Sequence, residues 1–363
     1  PMYHVKKMVT WPIQLTLNQP FTTAHGITTI RPLTLVQLTV YDDTTAQTAI
    51  GYGEIQSFAD YHYALETQKT SQDIVETLIK PVIGTWQFTS PSDFAAQLAR
   101  VTPFGSFAKA GVEMAVWDAV GKLTQQSLQQ MLGGVKPEVP VGIALGMPVT
   151  DQAIRTAIQQ GYRRIKLKID GRQTDLPALM NVLARYPEQQ FSLDANSSFN
   201  PETAMQLKAL PANVLFVEQP FGEHDFTQHA ALQRQMKQPL SLDESVNNLA
   251  DVATNIALHA ASAVTIKQGK IGGITAAVTA IKLLHQAGFQ PWIGGMLSSN
   301  LGRGVDLALA SLPEISIPGD ISASSRYFTS DITTADLQVR QGLMTVPTAP
   351  GIGLTLKDSQ IMV

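Results

Sequence analysis

The feature that most constrains the fold of this chain is a set of charged residues that recur at almost equal intervals. The intervals are 26, 24, 25 and 24 residues between Lys168, Asp194, Glu218, Asp243 and Lys267. Each residue lies at or near the end of a short apolar run, and helical segments lie between the runs. One strand and one helix about every 25 residues is typical of a parallel sheet whose connections are helices.

The repeat predicts a closed barrel. Apolar runs predict eight strands, over 139–145, 164–169, 191–194, 214–218, 240–243, 263–267, 291–294 and 314–317. Helices between them have recognisable ends, including an Asn200-Pro201 start and a stop at Gly288. An open, doubly wound sheet is the alternative. Eight even repeats favour the α/β class with a (β/α) TIM-type barrel over residues 126–320.

The first 125 residues have a different pattern. Alternating apolar and polar residues predict antiparallel strands over 2–17, 33–40 and 48–55, with a loop over 21–26. Helical periodicity follows the third strand. A few strands followed by several helices predict an N-terminal α+β domain over residues 1–125. The last segment, 321–363, is expected to return to this first domain.

Composition excludes several classes of protein. The chain has 363 residues and a net charge of -3, so it presents no basic surface for nucleic acid or anionic membranes. It contains no cysteine, which excludes disulfides and thiolate metal sites. No stretch reaches membrane-spanning length, and the first 17 residues contain no continuous apolar segment. A cytoplasmic protein without nucleic-acid or membrane partners is therefore expected.

The residues at the strand ends predict a metal site. Catalytic groups of β/α barrels lie at the carboxyl ends of the strands, so Asp194, Glu218 and Asp243 are expected to converge. Three carboxylates repel each other unless a cation lies among them, and hard oxygen ligands suit Mg²⁺. A single strand-end acid often caps the following helix instead. Three acids and two lysines at a constant interval argue against that simpler interpretation.

Three lysines are expected to face this metal. In the strand 164–169, Lys166 and Lys168 alternate with apolar residues and share one face, where a simpler interpretation leaves them solvated. Removal of a proton next to a carboxylate requires a metal and an ammonium to stabilise the enediolate. We assign Lys168 as the base and Lys166 as the second cation that helps Lys168 lose its proton. Lys267 would approach the substrate from across the barrel.

Several motifs carry a family resemblance. They are Lys-x-Lys at 166–168, Leu-Asp-Ala-Asn at 193–196, Phe-Val-Glu-Gln-Pro at 216–220, Asp243-Glu244, Gly-Gly-Met-Leu at 294–297 and Pro-Gly-Asp-Ile-Ser-Ala-Ser at 318–324. With these motifs the chain resembles the enolase superfamily, muconate-lactonizing subgroup, over nearly its whole length. Within the subgroup it is most similar to o-succinylbenzoate synthases that are related to N-acylamino acid racemases.

The resemblance implies an enolase-like modified barrel whose capping-domain loops, near 22 to 26 and 52 to 61, close over a small-molecule carboxylate. It implies Mg²⁺ held by Asp194, Glu218 and Asp243, and an acid/base pair of Lys168 and Lys267. In a synthase, Lys168 would remove the α-proton and then protonate the leaving hydroxyl. The product, o-succinylbenzoate, belongs to menaquinone biosynthesis. A homo-oligomer is compatible with the resemblance, because relatives often associate.

Two related reactions remain open. In an N-acylamino acid racemase the two lysines would act on opposite faces of the substrate. Lys270 stands where related racemising members commonly carry arginine, which favours the synthase with racemisation as a second activity. Ser298 stands where relatives usually have glutamate, so no role is carried to it. Muconate cycloisomerase shares the lysines and the metal ligands and would differ in the capping loops.

More distant alternatives fit less well. A mandelate-type site needs a His-Asp pair where this chain has Lys267. A dipeptide epimerase carries Asp-x-Asp on the eighth strand, whereas here Asp320 is followed by Ile321 and Ser322. A non-catalytic metal-binding barrel is disfavoured, because a buried lysine pair facing three acids is costly to keep.

Overall fold

The structure is a computed structural model that describes residues 1–23 and 26–362. Ala24 and His25, at the centre of the predicted capping loop near 22 to 26, lie outside the described residues. None of the helices among the described residues is long and apolar enough to cross a membrane.

The N-terminal part combines an antiparallel sheet with helices. Its elements are β1 (Tyr3–Thr23), β2 (Gly26–Asp42), β3 (Gln47–Ile55), α1 (Gln68–Ile74), α2 (Lys80–Ile83), β4 (Gln87–Phe88), α3 (Pro91–Ala99), α4 (Ser106–Thr124) and α5 (Leu128–Leu132). A π-helical turn, Val75–Ile79, joins α1 to α2. The strand order is β3-β2-β1-β4. The predicted α+β character of this part is therefore present.

Two glycines let the long helix α4 lie directly on β3. A Cβ atom on Gly51 would lie 1.9 Å from the carbonyl oxygen of Ala115, and one on Gly53 would lie 2.0 Å from that of Gly111. Any side chain at these positions would push the helix away from the sheet. The Gly51-Tyr52-Gly53 motif thus permits a close helix–sheet contact that buries the apolar residues between them.

The first hairpin is longer than the sequence predicts. A turn at 18–20 and a loop from Phe21 were expected to end the first strand, but β1 continues to Thr23. The pairing with β2 is irregular between Thr16 and Phe21. Asn18 N donates a hydrogen bond to Tyr327 O at 2.8 Å. The backbone N–H group at the predicted turn is therefore bonded by a segment that is distant in sequence.

The second part alternates strands and helices. Its elements are β5 (Glu138–Pro140), β6 (Gly142–Leu145), α6 (Asp151–Gln159), β7 (Arg164–Lys168), α7 (Leu176–Ala184), β8 (Gln190–Asp194), β9 (Val214–Glu218), α8 (Phe226–Gln233), β10 (Leu240–Leu242), α9 (Leu249–Leu258), β11 (Ala263–Ile266), α10 (Gln268–Ile271), α11 (Ile274–Gln286), β12 (Gln290–Ile293), α12 (Asn300–Ala310) and β13 (Leu343–Thr345). In the described chain, β6 to β12 form a parallel sheet of seven strands in sequential order. The predicted strand 139–145 is two strands, because β5 pairs with β13.

The eighth strand is not where the sequence predicts it, and the prediction of a strand over 314–317 was wrong. The barrel closes instead through the seam, residues 318–320. Gly142 N donates to Gly319 O at 2.7 Å, and Asp320 N donates to Ile293 O at 2.9 Å, so the seam bridges β6 and β12. Pro313 and Pro318 flank the predicted strand, and proline has no N–H group to donate to a neighbouring strand. Among the described residues the seam forms one isolated bridge, between Val141 and Gly319.

The C-terminal residues contact both parts of the molecule. β13 pairs with β5 at the base of the barrel. Thr329 N donates to Thr16 O at 3.0 Å, and Trp11 Nε1 donates to Gln360 O at 3.0 Å. These contacts hold the first hairpin against the barrel.

Candidate active site

The strand register brings the predicted site residues together at the mouth, the end of the barrel where the parallel strands terminate. Lys168, Asp194 and Glu218 end β7, β8 and β9 and are directly paired across neighbouring strands. Asp243 and Lys267 immediately follow β10 and β11. Because parallel strands end on the same side, all five residues lie at the mouth.

Lys166 lies deeper than Lys168 and is surrounded by acids. Its Nζ lies 2.6 Å from Asp320 Oδ2, 3.2 Å from Glu218 Oε2 and 3.6 Å from Asp194 Oδ2. Burial acts to lower the pKa of Lys166, but these three carboxylates raise it well above its usual value. Lys166 is therefore an ammonium, as the sequence requires. Three neighbouring acids compensate much of its charge.

Lys168 is the accessible lysine of the pair. Its side chain is 40% exposed, whereas that of Lys166 is 10% exposed. Lys168 Nζ donates to Asn196 Oδ1 at 3.1 Å and lies 3.5 Å from Asp194 Oδ2. An amine that can reach a substrate from the open mouth is the geometry that a base requires.

Asp243 lies at the centre of a second cluster. Its Oδ2 accepts from Lys267 Nζ at 2.8 Å, and its Oδ1 accepts from Tyr63 OH at 2.7 Å and from Lys270 Nζ at 3.2 Å. Burial opposes ionisation, but Lys267 and Lys270 hold the pKa of Asp243 well below its usual range. Burial also acts to lower the pKa of Lys267, while Asp243 and Glu218 raise it above the ordinary lysine value. Lys267 is thus held as an ammonium.

Two further acids are incompletely neutralised. Burial raises the pKa of Glu218 to about 8 against the opposing charge of Lys166, and Asp194 and Asp243 add to the rise. Burial, Asp243 and Asp194 raise the pKa of Glu244 to about 7. Glu244 Oε2 is buried and has no hydrogen-bond partner. Mutually repelling carboxylates and an oxygen without a partner are features that a divalent cation would relieve.

The donor chemistry fits a hard cation, although the side chains face lysines here. Across residues 1–23 and 26–362, no group of three or more histidines and acids surrounds a common metal position. The oxygens of Asp194, Glu218 and Asp243 are paired with ammonium groups instead. The three acids are carboxylates from adjacent strands, which is the ligand type that Mg²⁺ prefers. The residues therefore fit a divalent cation in kind and position, after rotation of their side chains.

Arg164 and Asp320 join the site to the seam, and the sequence interpretation missed this link. Arg164 is fully buried and donates to Asp320 Oδ1 at 2.7 Å, to Ser192 Oγ at 2.7 Å and to Pro318 O. Asp320 in turn bonds Lys166. The period-two pattern that selected Lys166 and Lys168 also places Arg164 on their face. Asp320 belongs to the motif at 318–324 and was weighed as part of an epimerase motif, but the sequence assigned it no partner, and both of its oxygens are occupied by basic side chains.

Tyr63 is a second residue that the sequence interpretation missed. It lies between β3 and α1, just beyond the predicted capping loop near 52 to 61. Its hydroxyl donates to Asp243 and accepts from Lys267 Nζ at 3.0 Å. Its ring packs edge-on against Phe58, at 5.7 Å between centroids. A residue from the N-terminal part of the chain therefore contacts the predicted site residues directly. No sequence spacing signals this contact, because Tyr63 lies in an irregular loop.

Comparisons with known proteins agree with this architecture. The family described as mandelate racemase / muconate lactonizing enzyme, N-terminal domain, matches residues 6–133, and the family described as enolase C-terminal domain-like matches residues 149–360. This chain belongs to the enolase superfamily. The predicted modified barrel with a capping domain is confirmed, and the chain is an enzyme of this superfamily, whose members generally bind a divalent metal.

Relatives within the enolase superfamily cover nearly the whole chain. An o-succinylbenzoate synthase from Geobacillus kaustophilus is 34% identical over 96% of this chain and 92% of its own length. An N-succinylamino acid racemase from Thermus thermophilus is also 34% identical, over 95% of this chain and 93% of its own length. The crystal structure of an enolase superfamily member from Enterococcus faecalis superposes with a TM-score of 0.92 at 31% identity and covers 99% of this chain and 97% of its own.

Proposed function

We propose that this enzyme is an o-succinylbenzoate synthase, a hydro-lyase of menaquinone biosynthesis. It would dehydrate 2-succinyl-6-hydroxy-2,4-cyclohexadiene-1-carboxylate to o-succinylbenzoate. The observation that supports this reaction best is the unequal state of the two lysines. Lys168 is accessible at the mouth, whereas Lys267 is held between Asp243 and Tyr63 as an ammonium. A syn-dehydration needs one mobile base and one fixed cation, which matches this asymmetry.

The proposed mechanism uses Lys168 twice. Its neutral Nζ removes the proton from C1, the ring carbon that bears the carboxylate, and the enediolate of the substrate forms. The same nitrogen, now an ammonium, donates that proton to the hydroxyl on C6 as the C6–O bond breaks. Water leaves, a C1–C6 double bond completes the aromatic ring, and Lys168 is neutral again. Lys267 keeps its proton throughout and stabilises the enediolate by its charge.

We further propose that Asp194, Glu218 and Asp243 hold Mg²⁺. Bound there, the ion would supply positive charge beside the substrate carboxylate as negative charge develops on it. Lys166 and Lys270 would hold neighbouring carboxylates in place through the contacts described above. We propose residues 1–125 as the capping domain, 126–320 as the barrel and 321–363 as the returning segment. We also propose that the enzyme is cytoplasmic, as the composition of the sequence predicts.

One assay tests the proposed function. The purified enzyme with Mg²⁺ is given the cyclohexadiene precursor, an N-succinyl amino acid and muconate in separate reactions. We expect o-succinylbenzoate to form, as followed by its ultraviolet absorbance, and Lys168→Ala to form it about 1000-fold more slowly. Inactivity on the precursor, with the same preparation active on either other substrate, would show that the proposed function is wrong.

N-succinylamino acid racemase is the second candidate. The racemase from Thermus thermophilus is as similar to this chain as the synthase reported above, at 34% identity. Lysines from β7 and from the end of β11 face the same mouth, which racemisation by two bases also requires. However, Lys267 must release its proton in that reaction, and Asp243 opposes this release. We therefore expect racemisation to be slower than dehydration in the same assay, as measured by loss of optical rotation.

A further inference from the structure

A small polar cavity adjoins the proposed base. Its volume is about 170 Å³, and it is lined by Lys166 and Lys168 from β7, by Arg303 and Asp306 from α12, and by Ser298 and Tyr327. The cavity therefore extends from the reacting lysines to a helix that has no role in the mechanism above. A substrate whose reacting carbon lies at Lys168 would direct its remaining atoms into such a space.

Arg303 carries a hydrogen-bond donor that the protein does not use. Its side chain is 5% exposed, and its Nη1 is buried without a hydrogen-bond acceptor. Asp331 Oδ2 lies 3.7 Å away, which is too long for a hydrogen bond. Asp331 Oδ2 instead accepts a hydrogen bond from Ser324 Oγ, and Asp331 Oδ1 accepts from Asn300 N at 3.0 Å and from Ile332 N at 2.7 Å. A buried guanidinium nitrogen without an acceptor is costly and calls for an explanation.

Other buried arginines do not share this feature. Arg31 donates to backbone carbonyl oxygens of Ser57, Gln56 and Met296, among others. Arg164 has partners in Ser192, Pro318 and Asp320. Within the described part of the chain, Arg303 is the one basic side chain with a buried nitrogen that lacks an acceptor. The unused donor is thus specific to the wall of this cavity.

Two acids lie near Arg303: Asp331 forms an ion pair with it at 3.7 Å and offsets part of its charge, and Asp306 lies on the same helix. Burial and the neighbouring Glu54 raise the pKa of Asp306 well above its usual range, which favours the protonated form of the carboxyl. Asp306 also lines the cavity and can donate a hydrogen bond in its neutral form. A guanidinium beside a carboxyl that favours its protonated form is suited to a carboxylate ligand, which the planar fork of arginine binds through two parallel hydrogen bonds.

We propose that Arg303 binds the second carboxylate of the substrate, the one at the end of the succinyl chain. This inference rests on the proposed function, because the proposed substrate carries one carboxylate on the reacting carbon and one on this chain. The first is expected at the metal and the lysines. The second needs a cation of its own, and Arg303 supplies one in the cavity that adjoins Lys168. Arg303 then determines which acids are accepted, without taking part in proton transfer.

The test compares two ligands that differ only in this carboxylate. o-Succinylbenzoate has it, and o-butanoylbenzoate has a methyl group in its place. Arg303→Met is expected to weaken o-succinylbenzoate about tenfold to a hundredfold, measured by calorimetry on the Mg²⁺-loaded enzyme. o-Butanoylbenzoate should bind wild type and variant within about twofold of each other. Equal weakening of both ligands would show a structural role, and no weakening of either would show that the carboxylate lies elsewhere; both results overturn the proposal.

Arg326→Met is the matched control. Arg326 is exposed, and its Nη2 already donates to Ala144 O at 2.8 Å near the same cavity. This variant should bind both ligands as the wild type does, and selective loss of o-succinylbenzoate here would assign the carboxylate to Arg326 instead. If Arg303→Met does not fold, Arg303→Lys keeps the charge, loses the fork and should still weaken o-succinylbenzoate selectively.

Failure of the proposed function has a different signature. The wild-type enzyme would then neither form nor bind o-succinylbenzoate. The same comparison can be made with an N-succinyl and an N-butanoyl amino acid, which again differ by one carboxylate. Selective loss of the N-succinyl ligand in Arg303→Met would support the subsite with a racemase substrate. Absence of selective loss with both ligand pairs would overturn it.

Discussion

The two sides of the mouth are built in different ways. On the strand side, Lys168, Asp194 and Glu218 end β7, β8 and β9 and are neighbours across the sheet, and Asp243 and Lys267 directly follow β10 and β11. On the irregular side, the seam and the loop that carries Tyr63 reach the same groups from segments without regular pairing. The strand side supplies the groups that we propose as the base, the fixed cation and the metal ligands. The irregular side fixes their position, as Asp320 does for Lys166 and Tyr63 does for Lys267.

Removal of divalent metal should cause the largest loss of activity, and it acts on the strand side alone. Dialysis against a chelator is expected to reduce synthase activity below detection, since Asp194, Glu218 and Asp243 then lack the ion that offsets their repulsion. Added Mg²⁺ should restore activity, as measured by formation of o-succinylbenzoate. Full activity in a preparation shown to be metal-free by elemental analysis would contradict the ligand assignment.

Replacement of the base should come next. Lys168→Ala is expected to lower kcat about 1000-fold, because proton transfer by a positioned base contributes about 10²- to 10⁴-fold. Lys168 is partly exposed, so the melting temperature should change little. Lys208→Ala is the control, since Lys208 is an exposed lysine that contacts only the surface residue Gln235 among the hydrogen bonds of the structure. Near wild-type turnover by Lys168→Ala would refute the mechanism.

The difference between the two sides also explains what the sequence could predict. Strand ends recur at a fixed interval, so the positions of Asp194, Glu218 and Asp243 followed from spacing alone. The position of the seam did not follow from the sequence. Pro313 and Pro318 prevent regular strand pairing there, so the seam has no period-two pattern of apolar residues. Tyr63 and Arg303 are brought to the site by tertiary contacts between domains or along a helix. No local pattern encodes such contacts, and a lone tyrosine or arginine carries no spacing signal.

Arg164→Met tests whether the seam depends on the strand side. This change leaves Asp320 with one basic partner and removes the donor that Pro318 O accepts. Loss of one partner of a buried ion pair costs about 3 kcal/mol or more of unfolding free energy. We expect the free energy of unfolding, measured by urea denaturation, to decrease by about 3 kcal/mol.

Arg155→Met is the control for this loss, because Arg155 is an exposed arginine that pairs with Asp151 at 2.8 Å. Surface pairs contribute at most about 1 kcal/mol, so the control should unfold almost as the wild type does. If Arg164→Met were equally stable, the seam would be held by its backbone hydrogen bonds, and Arg164 would contribute little to it.

Tyr63→Phe tests the contribution of the irregular side to catalysis. The variant keeps the ring against Phe58 and removes the hydroxyl that bonds Asp243 and Lys267. If loss of this hydroxyl raises the activation free energy by about 1.5 kcal/mol, kcat should fall about tenfold. KM should change less, because the hydroxyl bonds protein groups. Tyr61→Phe is the control, since Tyr61 is 64% exposed. An unchanged kcat in Tyr63→Phe would restrict the chemistry to the strand side.

Replacement of a histidine behind the strand side should give the smallest effect. The effect is on the pH dependence of the free energy of unfolding below about pH 6.5. His229 on α8 is fully buried. Its Nε2 accepts from Phe221 N at 3.2 Å, and its Nδ1 lies 2.6 Å from Asp225 O, so the ring must be neutral with its proton on Nδ1. Phe221 follows Glu218 by three residues, and His229 thus supports the turn after β9.

Burial lowers the pKa of His229 from its usual value of 6.5 to about 4. Between these values the unfolded chain binds a proton that the folded chain does not, so this residue makes the protein less stable as the pH falls below 6.5. The loss of unfolding free energy between pH 7.5 and 5.5 should be about 1 kcal/mol.

His229→Gln lacks this titration. The difference in unfolding free energy between wild type and this variant should therefore shrink by about 1 kcal/mol over that pH range. His224→Gln, with a side chain that is 87% exposed, should follow the wild type at both pH values. A constant deficit in His229→Gln would mean that the imidazole is not held neutral, and the turn after Glu218 would then be supported by its backbone alone.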